Sequence, residues 1–159
     1  MANTQSMCTS FLGELLSATH NFSSANPAQT ANTANTFKAA LYLASATLNA
    51  STTVYSTTGE VTGTNYTAGG VTITNATNPT STNSSATAGV GYWTPSASIT
   101  YTNVTLSTAF DTVLIYNSTQ SDKAVSVHTF GSQTVTAGTF TLTMPANSTT
   151  TALLRLATT

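Results

Sequence analysis

Apolar residues recur along this chain in two rhythms. From Thr4 to Ala18 they come in adjacent pairs four apart: Met7 with Cys8, Phe11 with Leu12, Leu15 with Leu16. That spacing draws one stripe along a helix of 3.6 residues per turn, so it predicts a short amphipathic helix capped by Asn3 or Thr4. The stretch from Asn21 to Asn35 is polar and small, contains Pro27, and predicts a loop that separates the helix from the rest of the chain.

From Thr36 onward the rhythm shortens to two. Strand composition fills Thr36 to Leu43, Thr52 to Ser56, Gly70 to Thr74, Ala97 to Val104, Thr112 to Asn117, Ala124 to Phe130, Gln133 to Thr136, Thr139 to Met144 and Thr151 to Ala157. In the sixth and eighth of these the alternation is nearly strict, which gives an apolar inner face and a hydroxyl outer face. Thr136 to Thr139 predicts a turn. Two long polar stretches interrupt the strands, Thr57 to Gly70 and Asn75 to Gly91, and loops of that length usually bind something or move. The pattern predicts an all-β domain, a β-sandwich or jelly roll of about eight or nine short strands with one N-terminal amphipathic helix. The expected division is residues 1–35 for helix and linker and 36–159 for the sandwich.

Composition separates this reading from a disordered Ser/Thr stalk. Hydrophobic residues make up 40% of the chain and there are nine Gly and four Pro, whereas disordered chains combine low hydrophobicity with high net charge. Thr suits a half-exposed pleated surface through its branched Cβ and its hydroxyl. The first residues lack the basic and apolar regions of a secretory signal, and no apolar run is long enough to span a membrane as a helix. The expectation is a protein that neither spans a membrane nor is exported. On that expectation, triplets such as Asn49-Ala50-Ser51 and Asn117-Ser118-Thr119 are products of composition rather than glycosylation sites. Cys8 is the one cysteine, so no internal disulfide is available.

Charge narrows the function further. Charged residues are 4% of the chain, against a usual ~25%. The acids are Glu14, Glu60, Asp111 and Asp122, the cations Lys38, Lys123 and Arg155, and the histidines His20 and His128. Three cations cannot supply the electrostatic attraction on which nucleic-acid binding depends. One Cys and two distant His make no zinc set, and the acids lack the spacing of a calcium loop. Gly59 to Gly70 leads into a strand and carries no Lys, so no phosphate loop is expected either. No cofactor is implied.

Two catalytic arrangements are conceivable. Ser126 or Ser132 with His128 and Asp111 would make a Ser-His-Asp set, but no nucleophile-elbow glycine pattern surrounds either serine. A Cys8–His20 dyad would need a thiol that the pattern instead places on the apolar stripe, where cysteine packs as a small hydrophobe. A third possibility is sugar binding, in which Tyr92, Trp93 and Tyr101 form an aromatic platform beside a polar loop. The competing reading makes Trp93 and one of the tyrosines core or subunit-interface anchors.

Several stretches together carry a family resemblance. Ala2-Asn3-Thr4-Gln5-Ser6-Met7-Cys8-Thr9-Ser10-Phe11, Thr36-Phe37-Lys38-Ala39-Ala40-Leu41-Tyr42, the run from Tyr55 to Gly70, Val113-Leu114-Ile115-Tyr116-Asn117, Phe130-Gly131-Ser132, Thr139-Phe140-Thr141-Leu142 and Leu153-Leu154-Arg155-Leu156-Ala157 resemble small virion proteins of tailed bacteriophages. In size and β-rich character the chain is similar to the decoration, or cement, proteins of phage heads. The resemblance implies a non-enzymatic protein on the outer surface of the head, bound to the major capsid protein and bridging capsomers. The stretches Asn21 to Asn35 and Asn75 to Gly91 depart from that pattern. Self-association as a dimer or trimer is expected, with no nucleic-acid or membrane partner. The candidate interface residues are Met7, Phe11, Leu15, Tyr66, Tyr92 and Trp93. The alternative is a glycan- or receptor-binding β-sandwich module of a phage tail or fibre.

Overall fold

The structure, a computed structural model, describes residues 2–23, 34–75, 77–82 and 89–158. The described residues form an all-β, sandwich-like domain of two antiparallel sheets with one short helix. Its elements are β1 (Ser6–Met7), α1 (Thr9–Leu16), β2 (Phe37–Leu43), β3 (Val71–Thr72), β4 (Thr80–Ser81), β5 (Val90–Trp93), β6 (Ile99–Asn117), β7 (Lys123–Leu142) and β8 (Leu154–Ala157). The larger sheet has the order β1-β7-β6-β2-β3 and the smaller one β4-β5-β8.

The helix is shorter than the apolar pairs predict. Ser6 and Met7 pair with Val127 and Ser126 as a strand, and the Cys8 amide donates to the Val125 carbonyl at 3.0 Å. Strand pairing therefore withdraws Met7 and Cys8 from the helix. Asn3 does not cap it either: its side chain donates to the Leu43 carbonyl at 3.1 Å and to Asp111 at 2.8 Å, and accepts from the Leu48 amide at 2.9 Å. Within α1, Phe11 is buried and Leu15 packs against the core, while Leu12 and Leu16 are 45% and 92% exposed. The predicted stripe is thus divided between the interior and the surface.

Five of the expected strands are parts of two long ones. Ala97 to Val104 and Thr112 to Asn117 belong to the 19-residue β6, and the three runs from Ala124 to Met144 largely merge into the 20-residue β7. The expected turn at Thr136 to Thr139 is a ladder irregularity instead, with Ala137 at φ 44° and pairing that continues on both sides. The polar punctuation is real, but it bends a strand instead of ending one.

That bend shapes the molecule. Ten residues of straight strand span about 33 Å, yet the rings of Phe130 and Phe140 lie 5.3 Å apart and those of Phe110 and Phe140 5.0 Å apart. The β6–β7 ribbon must curl back on itself for these rings to meet. Register shifts cluster between Tyr101 and Thr112, where the curl occurs.

Thr52 to Ser56, expected as a strand, contributes only the isolated bridge of Val54 to Lys123. Gly70 to Thr74 shrinks to β3. Conversely, the stretch Asn75 to Gly91 contains β4 and the beginning of β5, whose pairing partners come from within the stretch and from β8. Most of the predicted loop Asn21 to Asn35 lies outside the described residues.

The central β2–β6–β7 layer is covered on both sides. Phe37 and Asn117 are register partners and contact His20, while Phe37 also lies 4.3 Å from Phe22 and 6.1 Å from Trp93 of the small sheet. Lys38 and Tyr116, the adjoining pair, point the opposite way, where Tyr55 stacks on Tyr116 at 4.7 Å. The first side carries α1 and the small sheet, the second the segment 44–70.

Candidate functional site

The groove between α1 and the small sheet gathers five of the six residues expected at an interface. Met7, Phe11, Leu15, Tyr92 and Trp93 line it together with Phe22, around a volume of about 280 Å³. Three separate elements supply them. β1 fixes Met7 through its pairing with β7, α1 places Phe11 and Leu15, and β5 presents Tyr92 and Trp93 between β4 and β8. Tyr66 lies elsewhere, in the polar cluster around Glu60.

Aromatic rings form the groove's floor. Phe11 meets Phe22 edge-on at 5.9 Å, and Phe22 meets Trp93 at 4.8 Å. The Trp93 indole N–H donates to the Asn75 side-chain oxygen at 3.2 Å and to the Thr77 carbonyl at 3.0 Å, so its polar edge is satisfied and its faces are left to packing. Trp93 is 3% exposed and Tyr101 2%. Neither ring offers an open face to a sugar, and the expected aromatic platform is reduced to the half-buried Tyr92. Leu156, 46% exposed, also lines the groove, as do the polar Asn21, Ser23 and Thr80.

A charged network closes one end of this side. Lys123 Nζ donates to Glu14 Oε1 at 2.6 Å, and His20 Nε2 lies 2.8 Å from Glu14 Oε2. Asn117 Nδ2 lies 3.0 Å from His20 Nδ1 and 2.8 Å from Asn35 Oδ1. An amide nitrogen has no lone pair to accept with, so Nδ1 accepts and Nε2 donates to Glu14: the imidazole is the neutral Nε2–H tautomer. Burial lowers the His20 pKa and outweighs the opposing pull of Glu14. Burial would raise the Glu14 carboxyl, but its bonds to Lys123 and His20 prevail and hold it below the ordinary range. The thiol of Cys8 is buried and is pushed up to about 11, by burial first and by Glu14 second. It is a packed side chain and not a thiolate nucleophile.

Ser126 and His128 do meet, at 2.9 Å between Oγ and Nε2. Two residues apart on one strand, they share a face. The acid expected as third member is committed elsewhere, with Asp111 accepting from Asn3 and Thr112. Ser126 is 1% exposed, and burial lowers His128 to about 4. A base that weak beside an inaccessible hydroxyl lacks the poise of an activated nucleophile.

The second polar centre is Glu60, which is 6% exposed and the only formal charge between Lys38 and Asp111. Its carboxylate accepts from Tyr55 at 2.6 Å, from Tyr66 at 2.7 Å and from the Gly69 amide at 2.8 Å. Tyr66 Oη also accepts from the Leu41 amide at 3.0 Å, and Tyr116 donates to the Gly69 carbonyl at 2.8 Å. Burial, followed by interaction with Glu60, raises the pKa of Tyr55 and Tyr66. Tyr116 rises to about 12 through burial, Asp122 and Glu60. All three therefore remain donors at neutral pH. The segment Thr57 to Gly70 is consequently fastened to the sheet along its length. Gly70, at φ 68°, is required there because a Cβ would fall 1.7 Å from the Ala39 carbonyl oxygen.

Sequence reasoning missed Glu60, Asn35 and Asn117. Glu60 carried a usable signal, a lone acid within a charge-free, tyrosine-containing stretch. The two asparagines were lost among many. Compared with known proteins, the chain matches no family model, no curated protein and no solved structure.

Proposed function

We propose that this protein is a non-enzymatic virion component, a decoration protein that docks on the outer surface of a phage coat-protein shell and bridges its capsomers. The observation that carries the docking is the apolar groove, with the exposed Leu156 in its lining and the exposed Leu12 and Leu16 on the helix that supplies Phe11 and Leu15 to it, on a chain that is hydroxyl-rich and nearly uncharged. Leu12 and Leu16 on α1 and Leu156 on β8 stand outside the core. An apolar segment of the coat protein inserted between Met7, Phe11 and Tyr92 would cover them and fill the groove.

The rest of the surface supports the same reading. Contacts made by Thr, Ser and Asn lose less side-chain entropy than contacts made by Lys or Arg. On a symmetric lattice many weak contacts add through effective concentration, so no single strong ion pair is needed. The pinned segment around Glu60 keeps the opposite side rigid while the groove side engages.

The test is binding of the purified protein to undecorated, expanded heads. Saturation at a fixed number of copies per capsomer is expected, with little change between low and high salt because the contact is apolar. A double substitution Leu12→Ser, Leu16→Ser should lower head affinity at least tenfold while the fold persists. Failure to bind heads, together with retained glycan or cell binding, would sink the proposal in favour of a tail or fibre module.

A further inference from the structure

We infer that the outer edge of β7, from Thr129 to Leu142, is a self-association surface on which a second copy of this chain adds its own β7 edge, antiparallel and about a twofold axis. This inference does not rest on docking to a shell and concerns a different surface from the groove.

The inner edge of β7 pairs with β6 over its whole length. Among the described residues its outer edge is occupied only at the start. The Ala124 amide donates to Thr53, Val125 accepts from Cys8, and Ser126 and Val127 pair with β1. From His128 onward, no described strand lies on that side. The outward N–H and C=O groups of the remaining residues form a template for another strand.

Sheet proteins normally blunt such an edge with charged side chains or proline. Here both are missing, and the one blunting device present is the irregularity at Ala137, which divides the edge into two stretches. No Asp, Glu, Lys or Arg lies between Lys123 and Arg155, and the one proline in that interval, Pro145, comes after the strand. The absence is also what twofold pairing requires. Under a twofold axis the same residues face each other, so any edge charge would meet its own like. Thr134, Thr136, Thr139 and Thr141 are exposed, and their branched side chains suit a pleated surface at small entropic cost. The half-buried Val135, Phe140 and Leu142 near them would each gain a cross-strand neighbour from the second copy.

The experiment measures mass by sedimentation equilibrium over a concentration series, for the wild type and for the double substitution Thr134→Lys, Thr139→Lys. Both positions are exposed, one on each side of the bend, so in a twofold pairing centred on the bend each lysine meets a lysine of the other copy. The wild type should dimerise, and the variant should dimerise on the order of tenfold more weakly. Raising the salt should restore part of the loss, and mixing with a Thr134→Glu, Thr139→Glu variant should restore association as a heterodimer. Hydrogen exchange on the wild type gives a readout free of substitution, in which amides between Thr129 and Leu142 become slower as concentration rises. A wild type that stays monomeric would overturn the inference. So would a dimer indifferent to the lysines whose β7 amides exchange at the same rate at every concentration, since its interface would then lie on another surface.

Discussion

On one side of the β2–β6–β7 layer the cover is tied down by hydrogen bonds to a single buried carboxylate; on the other it is packed rings with the Glu14 network at one end. The segment 44–70 is anchored through Glu60, whose carboxylate takes three donors while the neighbouring tyrosines bond to backbone. The α1 side relies on Phe11, Phe22, Phe37 and Trp93 and leaves a groove with exposed leucines nearby. Directional bonds among buried groups must all be satisfied together, so the first side is closed and specific. Apolar packing tolerates an unfilled margin, so the second side can stay open for a partner.

Breaking the closed side should cost most. Glu60→Ala strands Tyr55, Tyr66 and the Gly69 amide without their acceptor, and a loss of about 3–5 kcal/mol is expected in denaturant unfolding. Glu60→Gln, which keeps part of the bonding, should fall between that variant and the wild type. If Glu60→Ala unfolds at the wild-type midpoint, the carboxylate does not hold the segment. On the open side, Phe11→Ala removes a fully buried ring and should cost about 3 kcal/mol, and a loss below about 1 kcal/mol would mean that the groove's floor is already loosely packed.

Acid should separate the two sides more finely. Burial holds His128 near 4 and keeps His20 below its ordinary value of 6.5, both through interactions on the α1 side. Between about 6.5 and 4 the unfolded chain therefore binds protons that the folded chain refuses. Stability falls as pH drops through that window, by at most about 1.4 kcal/mol per pH unit for each histidine, and the His128 contribution levels off below it. The stability that Glu14 contributes is present above the ordinary carboxylate range and disappears as pH falls through its lowered pKa. Unfolding free energies at pH 7, 5.5 and 4 should show the decline, and His128→Gln should flatten it. An unchanged slope in that variant would remove His128 from the account. The tyrosines around Glu60, with their pKa values raised, should contribute nothing in this window.

The smallest effect should come from the outermost residue. Leu16→Ser lies on the exposed face of α1 and should alter stability by less than about 0.5 kcal/mol. A larger loss would mean that this leucine supports the fold, which would deprive the groove of part of its proposed rim.

Much of this architecture was readable along the chain, and the failures share a cause. Strand composition located β2, the ends of β6 and β7, and β8, because β-branched and aromatic residues suit a pleated surface, and period-two alternation marked the two ends of β7. It failed at Thr136 to Thr139, where small polar residues mark a bulge as readily as a turn, and the choice depends on whether a partner strand continues alongside. It failed at Met7 and Cys8 because their helical spacing competed with a strand partner more than a hundred residues away. The groove residues were legible singly, as aromatic and apolar anchors. Their meeting was not, since Met7, Phe11 and Tyr92 come from separate elements.

Composition and periodicity by themselves determined an all-β, charge-poor domain with an apolar N-terminal segment, because burial and pleating act on neighbouring residues. Tertiary structure decided which leucines face outward, that Glu60 is a buried anchor and Tyr66 its donor, and that one ribbon curls where separate short strands and a turn were expected. Those outcomes depend on contacts between distant parts of the chain, and local pattern carries no record of the partner.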